Sequence, residues 1–497
     1  MSSVKDDYLL RREEITAMLK KERIKIGWAE ADITPAEKCE LYGQYYQRVS
    51  EGVHSPLSAT VLAVESESGE QALMISVDLA NFPQEFLNAL RERVKRLVPA
   101  IVPEKIMMNA THTHNAPAVS PGINWWTPEP GTIKTNDYRE FVLSRLADAV
   151  RRAWENLSQG AISATRGHAV LGHCRRVVFA NGRAEMYGDT SRDDFLELEG
   201  NEDYTVELLF TYDEKKNTTG VIVNAACPSQ VMEATYLVSS DFMGELRRLL
   251  KTRFGTGFKV LCQISAAGDQ SPRDLVRNRN ADFWNARGTA LLGKRLADAV
   301  IETGGHIRSE NISARVKMEH RVRTITLPKR FPAYRERVAA EKELARLEAI
   351  MPSDKAFSEF TTEVKRNEKI AGRPGPYDSK LHHFVLIQNT RAVIKRSAER
   401  TESPDFAMEL HTLRIGDAAF CTNPFELFLD YGLRIKAHSH AEQTFVVQLC
   451  CGSADYLPTE KAEKHGGYGG LIINGIVGSE GGEKLVDETA NDLNSLF

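Results

Sequence analysis

Residues 105–117 read KIMMNATHTHNAP. A short apolar run, KIMMNA, ends in four polar residues, so His112 and His114 fall at the C-terminal mouth of a strand. Open α/β sheets place their sites there. Two histidines at i, i+2 of an extended segment share a side, so both can face one pocket. Imidazole is a common zinc ligand and a proton carrier near neutral pH. Working outward, strand-like runs precede this segment at IKIGWAEADI (24–33), LSATVLAV (57–64) and ALMISVD (72–78). A helix is expected at PQEFLNALRERVKRLV (83–98), with Phe86, Leu90 and Val94 on one face. A second, NDYREFVLSRLADAVRRAW (136–154), puts Tyr138, Val142, Leu146 and Val150 on one stripe behind an Asn-Asp cap.

Further strands are expected at TVELLFTY (205–212), GVIVNAAC (220–227) and FKVLCQISA (258–266). The last two are nearly continuous in apolar residues, as in strands buried on both faces. Strands alternating with helices make the chain α/β with a mixed sheet. Between about 329 and 400 the composition shifts to long charged helices, AYRERVAAEKELARLEAIM and FSEFTTEVKRNEK, broken at AGRPGP (371–376); this reads as a helical insertion. Strands resume at FAMELHTLRIGDAAFCT (406–422) and TFVVQLCC (444–451), with a helix at ELFLDYGLRIKAH (426–438) between them. The domain reading is a helical leader over 1–24 and one catalytic domain over 25–497. HGGYGG (465–470) lacks the strand–helix context and GK[ST] ending of a phosphate loop.

The chain has 497 residues with Lys+Arg 64 against Asp+Glu 68, net charge −4, so no overall basicity advertises nucleic acid or an anionic membrane. The first 28 residues are charged throughout, and no window approaches the roughly 18 apolar residues of a membrane span. Seven cysteines without CxxC spacing fit reduced thiols, and a cytoplasmic location is expected. Adjacent Cys450 and Cys451 read as small core residues on a strand.

Three more segments place polar residues after apolar strands: Ala267–Arg273 (AGDQSPR), Thr422–Glu426 (TNPFE) and Ala454–Thr459 (ADYLPT), with Gly466-Gly467-Tyr468 beyond. Taken singly, the first is a turn, although its Ser271 is placed to stabilise an oxyanion. Glu426 reads as an acidic residue opening a helix or as an oxygen ligand.

Together these blocks resemble the neutral/alkaline (non-lysosomal) ceramidase family, in its catalytic domain. IGWAEADITP resembles the family's opening strand and turn; THTHNAP its THTHSGP; GDQSPRD its GDVSPN; NPFELF its PGExF; and YLPT…GGYGG its YLPT…GGYE. The resemblance spans roughly residues 25–470 and implies a large mixed-sheet α/β domain, with sheets layered between helices. It implies zinc ligands at His112, Glu426 and Tyr456, and a further histidine from a motif like CHPxxL…SxDxxG. Here the latter stretch is Ala226-Cys227-Pro228-Ser229-Gln230, leading to Ser239-Ser240-Asp241, so Cys227 stands at the histidine's position. A thiolate binds zinc well, which makes Cys227 the expected fourth ligand. The resemblance also implies His114 as general base, with Ser271, Arg175 (or its neighbour Arg176) and Tyr468 donating to an oxyanion.

Two departures bear on the substrate: Gly469 replaces the glutamate of GGYE, and Phe425 replaces the glycine beside Glu426, which is expected to narrow the approach. No export signal and no β-sandwich pattern beyond the last motif are read, so membrane ceramide is not the expected substrate. The expectation is zinc-dependent hydrolysis of an amide-type bond in a soluble small molecule. The alternatives are different chemistry on a small polar or carbohydrate substrate, or a binding protein without competent metal; homo-oligomerisation is left open.

Overall fold

The computed structural model describes residues 21–44, 46–121, 127–277, 282–367, 382–400 and 403–497. Residues 1–20 of the expected leader and the AGRPGP break lie outside the described residues. The principal elements in the first half are β1 (Glu22–Asp32), β2 (Ser58–Ser66), β3 (Gln71–Val77), α1 (Gln84–Leu97), β4 (Ile106–Ala110) and α2 (Thr135–Glu155). They continue with β5 (Ser158–His168), β6 (Thr205–Asp213), β7 (Thr218–Ala225), α3 (Asp241–Phe254), β8 (Lys259–Ile264) and α4 (Ala286–Gly305). The second half holds β9 (Met318–Pro328), α5 (Tyr334–Ile350), α6 (Ser353–Asn367), α7 (His383–Ala398), β10 (Asp405–Ile415), β11 (Ala418–Thr422) and β12 (Glu426–Leu427). It closes with α8 (Leu429–His438), β13 (Gln443–Val447), β14 (Tyr456–Leu457), α9 (Glu460–His465) and α10 (Ser479–Asn494).

Two mixed sheets form the body. The larger runs β8-β7-β6-β5-β1-β2-β3-β4, with the short strand Arg315–Val316 added on β1. Only β7/β8 and β3/β4 are parallel along this path, and each parallel pair is crossed by a helix, α3 and α1 respectively. The smaller sheet runs β9-β10-β11-β13, its β11/β13 pair parallel across α8. Helices α1 and α2 bury Phe86, Leu90, Val94, Tyr138, Val142 and Leu146 in one apolar cluster with Ile75, Met108, Phe420 and Phe445 of both sheets. α3 and α4 pack Leu246, Leu250, Leu292 and Leu296 on Val221, Val223 and Val260. α8 and α10 cover the smaller sheet through Tyr431, Ile435, Leu485 and Leu493. Each such side chain contributes about 1.5–3 kcal/mol of transfer free energy, so the sheets are held between helical layers.

The Asn-Asp pair expected to cap α2 lies inside its first turn. Thr135 begins the helix, Lys134 precedes it without a side-chain cap, and Asp137 faces the positive end of the helix dipole. Glu426 does not open a helix: it forms β12, paired in parallel with β14 so that Glu426 lies opposite Tyr456, and α8 starts at Leu429. No helix among the described residues is long and apolar enough to cross a membrane.

Candidate metal centre

The chain leaves β4 through a left-handed residue, His112, whose φ is 59°. The THTH segment is therefore kinked rather than extended, and the two histidines reach one pocket by that kink. Its flanks are pinned: Thr111 donates its hydroxyl to Asp78 at 3.0 Å, and Thr113 donates to the Ser239 carbonyl at 2.6 Å. His112 Nδ1 lies 2.7 Å from the Ala80 carbonyl oxygen. A carbonyl only accepts, so Nδ1 carries the proton and Nε2 presents its lone pair. That lone pair faces Glu426 Oε2 at 3.5 Å and His114 Nε2 at 3.3 Å.

His114 is oriented by two residues that no sequence motif marked. Glu233 Oε2 lies 3.1 Å from its Nδ1, and the Gln230 amide nitrogen lies 3.0 Å from its Nε2. Gln44 in turn donates to Glu233 at 3.0 Å. The Gln230 amide N–H can only donate, so Nε2 accepts with its lone pair and the ring proton is on Nδ1, on the side of the Glu233 carboxylate. Gly43, at φ 109°, runs against this ring: a Cβ there would sit 2.5 Å from His114 Cγ. Burial and the neighbouring His112 charge hold the His114 pKa below the usual imidazole value, against the pull of Glu233. His114 is thus neutral and able to accept a proton.

Tyr456 closes the far side. Arg175 donates to its hydroxyl at 3.0 Å and to the Gly268 carbonyl at 2.8 Å. Burial costs the Glu426 carboxylate, but His112, Arg175 and a hydrogen bond with Tyr456 hold its pKa below the ordinary value. Gly268 of GDQSPR has to be glycine, because a Cβ would meet the Glu426 carbonyl oxygen at 2.3 Å. Gln448 ties the loops together, its Oε1 accepting from Ala267 N–H and Leu427 N–H at 3.0 and 3.1 Å. Tyr468 sets its ring edge-on to Tyr456, centroids 5.4 Å apart. Tyr187, also unmarked by any motif, hydrogen-bonds Ser271 and Arg175. His112, His114, Glu426, Tyr456, Arg175, Tyr468 and Ser271 thus belong to one connected set. Arg176 does not: its guanidinium is held by Glu199 and by the Gly466 and Tyr468 carbonyls as a buried structural pair.

Cys227 departs from the expected ligand set. Its sulfur lies 3.7 Å from the Pro228 carbonyl oxygen, within the apolar cluster of Val231, Phe242 and Met243. Burial and the Asp241 charge push its thiol pKa well up. Among the described residues, Cys227, His112 and Glu426 do not form a group with donor atoms within 4.8 Å of one another. Phe425 is a second correction. Its ring packs against Phe406 in the core, centroids 5.6 Å apart, so it does not narrow the approach to Glu426. Phe425 lies in the bend before β12, and Glu426 takes the pocket side.

His112 Nε2 lies between Glu426 Oε2 at 3.5 Å and His114 Nε2 at 3.3 Å, and the proton it shares with Glu426 stands where a cation would bind. His112 Nε2, Glu426 Oε2 and the Tyr456 phenol are three donors of the kind that hold a divalent metal.

No family model matches this chain. It is 24% identical over 321 residues to the neutral ceramidase of Drosophila pseudoobscura pseudoobscura, a match covering 56% of this chain and 43% of that protein. The Drosophila melanogaster neutral ceramidase gives the same identity and coverage. The crystal structure of neutral ceramidase from Pseudomonas aeruginosa superposes with a TM-score of 0.66 at 16% identity, covering 96% of this chain and 74% of that one. The chain is similar to neutral ceramidases in sequence and shares their fold. A ceramidase complexed with C2 superposes with a TM-score of 0.63 at 15% identity, over 96% of this chain and 75% of that one. The ceramidase-like fold therefore extends over nearly the whole chain, while the sequence match spans less than half the length of the curated relatives.

Proposed function

We propose that this ceramidase-like chain is a metal-dependent hydrolase of an amide-type (N-acyl) bond in a soluble, polar substrate. The observation that carries the reading is the buried meeting of imidazole, carboxylate and phenol, with His112 Nε2 3.5 Å from Glu426 Oε2 and 3.3 Å from His114 Nε2, and Glu426 paired opposite Tyr456. His112, Glu426 and Tyr456 would hold the metal, zinc by the chemistry of the set. Bound there, zinc supplies Lewis acidity, which polarises a carbonyl and makes water more acidic.

The chain's own residues do the rest. His114, neutral at Nε2, takes the proton from the water attacking the amide carbonyl. Glu233 holds the Nδ1 proton and stabilises the imidazolium that forms. As the C–N bond breaks, His114 returns the proton to the leaving nitrogen. Arg175, Tyr187, Ser271 and Tyr468 are the donors available to negative charge on the carbonyl oxygen. Glu233, Gln230 and Gln44 make this end of the pocket polar, which supports a substrate bearing hydroxyl or amino groups rather than a long acyl chain alone. Seven buried cysteines, none paired among themselves, support a cytoplasmic setting.

Elemental analysis with turnover assays tests the reading. The purified chain should carry close to one zinc at this site and cleave water-soluble N-acyl compounds, and His112→Ala should lose both. Full zinc occupancy in His112→Ala would refute the ligand assignment, and robust cleavage of long-chain ceramide in vesicles would refute the substrate class.

A further inference from the structure

A second buried cluster lies on the smaller sheet. Glu409 and His411 occupy i, i+2 positions of β10 and so share one face. Cys450 and Cys451 follow β13 rather than lying on it. Leu449 and Cys451 adopt left-handed φ values of 48° and 60°, which turns the Cys451 thiol toward that face. Ligand atoms of Glu409, His411 and Cys451 lie within 4.8 Å of one another. Arg91 completes the group, donating to both Glu409 oxygens at 2.9 and 2.7 Å.

The hydrogen bonds decide the protonation of His411. His320 Nδ1 lies 3.0 Å from the Gln71 carbonyl oxygen, which only accepts, so that nitrogen carries a proton. Among the described residues no carboxylate pairs with His320, and the Lys105 ammonium sits on its carbonyl oxygen. Burial and the His411 charge push its pKa well down. His320 is therefore neutral, and its Nε2 must accept from His411 Nδ1, 2.9 Å away. His411 Nε2 lies 2.6 Å from Glu409 Oε1 and donates to that carboxylate. Both nitrogens of His411 thus carry protons. The ring is an imidazolium, and it has no lone pair to give a metal.

Charge balance then points to the sulfur. Arg91 and His411 supply two positive charges to this buried group, and Glu409 supplies one negative. Lys105 is matched separately by Glu70 at 2.7 Å. A Cys451 thiolate makes the group neutral, and an uncompensated buried charge is costly. The Cys450 sulfur lies 3.8 Å from the Cys451 sulfur, placed to donate its S–H. Burial opposes ionisation of Cys451, but Cys450 and His411 outweigh it and hold its pKa below the ordinary thiol value.

We propose that Cys451 is an oxidative modification site, a thiolate that hydrogen peroxide attacks, with Cys450 as its resolving thiol. In the first step the Cys451 sulfur takes one peroxide oxygen, the O–O bond breaks, and the departing hydroxide gains a proton to leave as water. The product is a Cys451 sulfenic acid. In the second step the Cys450 sulfur displaces that hydroxyl as water, forming a Cys450–Cys451 disulfide. Peroxide is little larger than water; Cys451 is 4% exposed, and the neighbouring Glu409 side chain 15%.

The modification reaches the metal centre through the backbone. Leu449 accepts from Ala110 N–H at 3.2 Å, and Cys451 N–H donates to Met108 at 2.9 Å, both on the strand that delivers His112. On the other side, Leu449 N–H donates to Phe425 at 3.3 Å and Cys450 N–H to Asn423 at 2.9 Å, the turn that delivers Glu426. Closing a ring between adjacent residues has to twist this bridging segment.

Peroxide treatment of the native chain, followed by dimedone labelling and peptide mass mapping, tests the proposal. Wild type should lose two hydrogens on the peptide holding both cysteines, while the other five remain thiols. Cys450→Ser should stop at a dimedone-reactive Cys451, and Cys451→Ser should leave Cys450 reduced. The rate should be nearly flat between about pH 6.5 and 8, where an ordinary thiol with pKa near 8.5 gains roughly tenfold per unit. Oxidation spread evenly over the seven cysteines would overturn the proposal. So would a reaction that starts only after a chelator strips a metal from the native chain, or only after denaturation.

Discussion

Replacing Asp78 with asparagine should cost about 4 kcal/mol of stability. Asp78 is fully buried at the end of β3 and accepts four hydrogen bonds. Two come from Arg247 at 2.6 and 2.8 Å, one from Ser58 N–H at 2.7 Å and one from the Thr111 hydroxyl at 3.0 Å. An asparagine oxygen can keep two of these, while its NH2 faces two donors. Two charge-assisted bonds at about 1.5–3 kcal/mol each are lost, and Arg247 is left buried without its counter-ion, a loss measured elsewhere at about 3–5 kcal/mol. At about 2.1 cal/mol/K per residue, 497 residues give an unfolding entropy near 1 kcal/mol/K, so Tm should fall by about 4 °C. The double replacement Asp78→Leu with Arg247→Met strands no charge but leaves Ser58 N–H and the Thr111 hydroxyl without their acceptor, so it should recover only part of the loss. Urea titration and calorimetry of Asp78→Asn and of the double variant measure the two losses. A single-variant loss under about 1 kcal/mol, or a double variant no better than the single, would refute the argument.

His114→Ala should keep its metal yet lose roughly 10²–10⁴-fold in turnover, and equal metal loss in His112→Ala and His114→Ala would make both residues ligands. Glu233→Gln removes the one charge that raises the His114 pKa. The base then stays neutral to lower pH, so the acid limb of kcat/KM should move down while the plateau falls because the base is weaker; an upward shift would contradict the pairing. Cys227→Ala should retain full metal at a stability cost of about 1 kcal/mol, whereas metal loss in that variant would return the thiol to the ligand set.

Periodicity made most of the fold legible. The apolar runs before THTH, GDQSP and NPFE are strands, and the histidine pair marks the pocket because imidazole at a strand end has few structural uses. What stayed hidden depends on side-chain direction or on contacts distant in sequence. Cys227 occupies the expected position, but its N–H donates to Ala225, a tight turn that swings the side chain into the core. Gln230 and Glu233 follow in the same loop and reach His114 from 116 and 119 residues away in the chain, with no motif to flag them. The Glu426–Tyr456 register is a parallel pairing of two-residue strands, too short to carry an alternation signal. Phe425 lies in the bend before β12, where the chain turns its ring into the core against Phe406.

The geometry around His112 also settles what a metal must displace. With Nδ1 committed to the Ala80 carbonyl, Nε2 is the His112 atom left for Glu426, and without a metal it serves that carboxylate by carrying a proton, beside the hydrogen bond from Tyr456. Burial opposes that charge, but Glu426 and the Ala80 carbonyl outweigh it and raise the His112 pKa above the usual imidazole value. The sign follows. A raised folded-state pKa gives stability that is fully present below the unfolded pKa and is lost as pH rises through the folded one. The metal competes for the same lone pair, so its affinity should rise with pH until His112 is neutral without it. Below that point each ion bound should release about one proton from His112. Calorimetric titration of zinc in two buffers of different ionisation enthalpy counts that proton directly. The count should vanish in His112→Gln. Zinc binding below pH 6.5 without proton release would mean that the lone pair was already free, and that the convergence of acceptors on His112 is not what selects the cation.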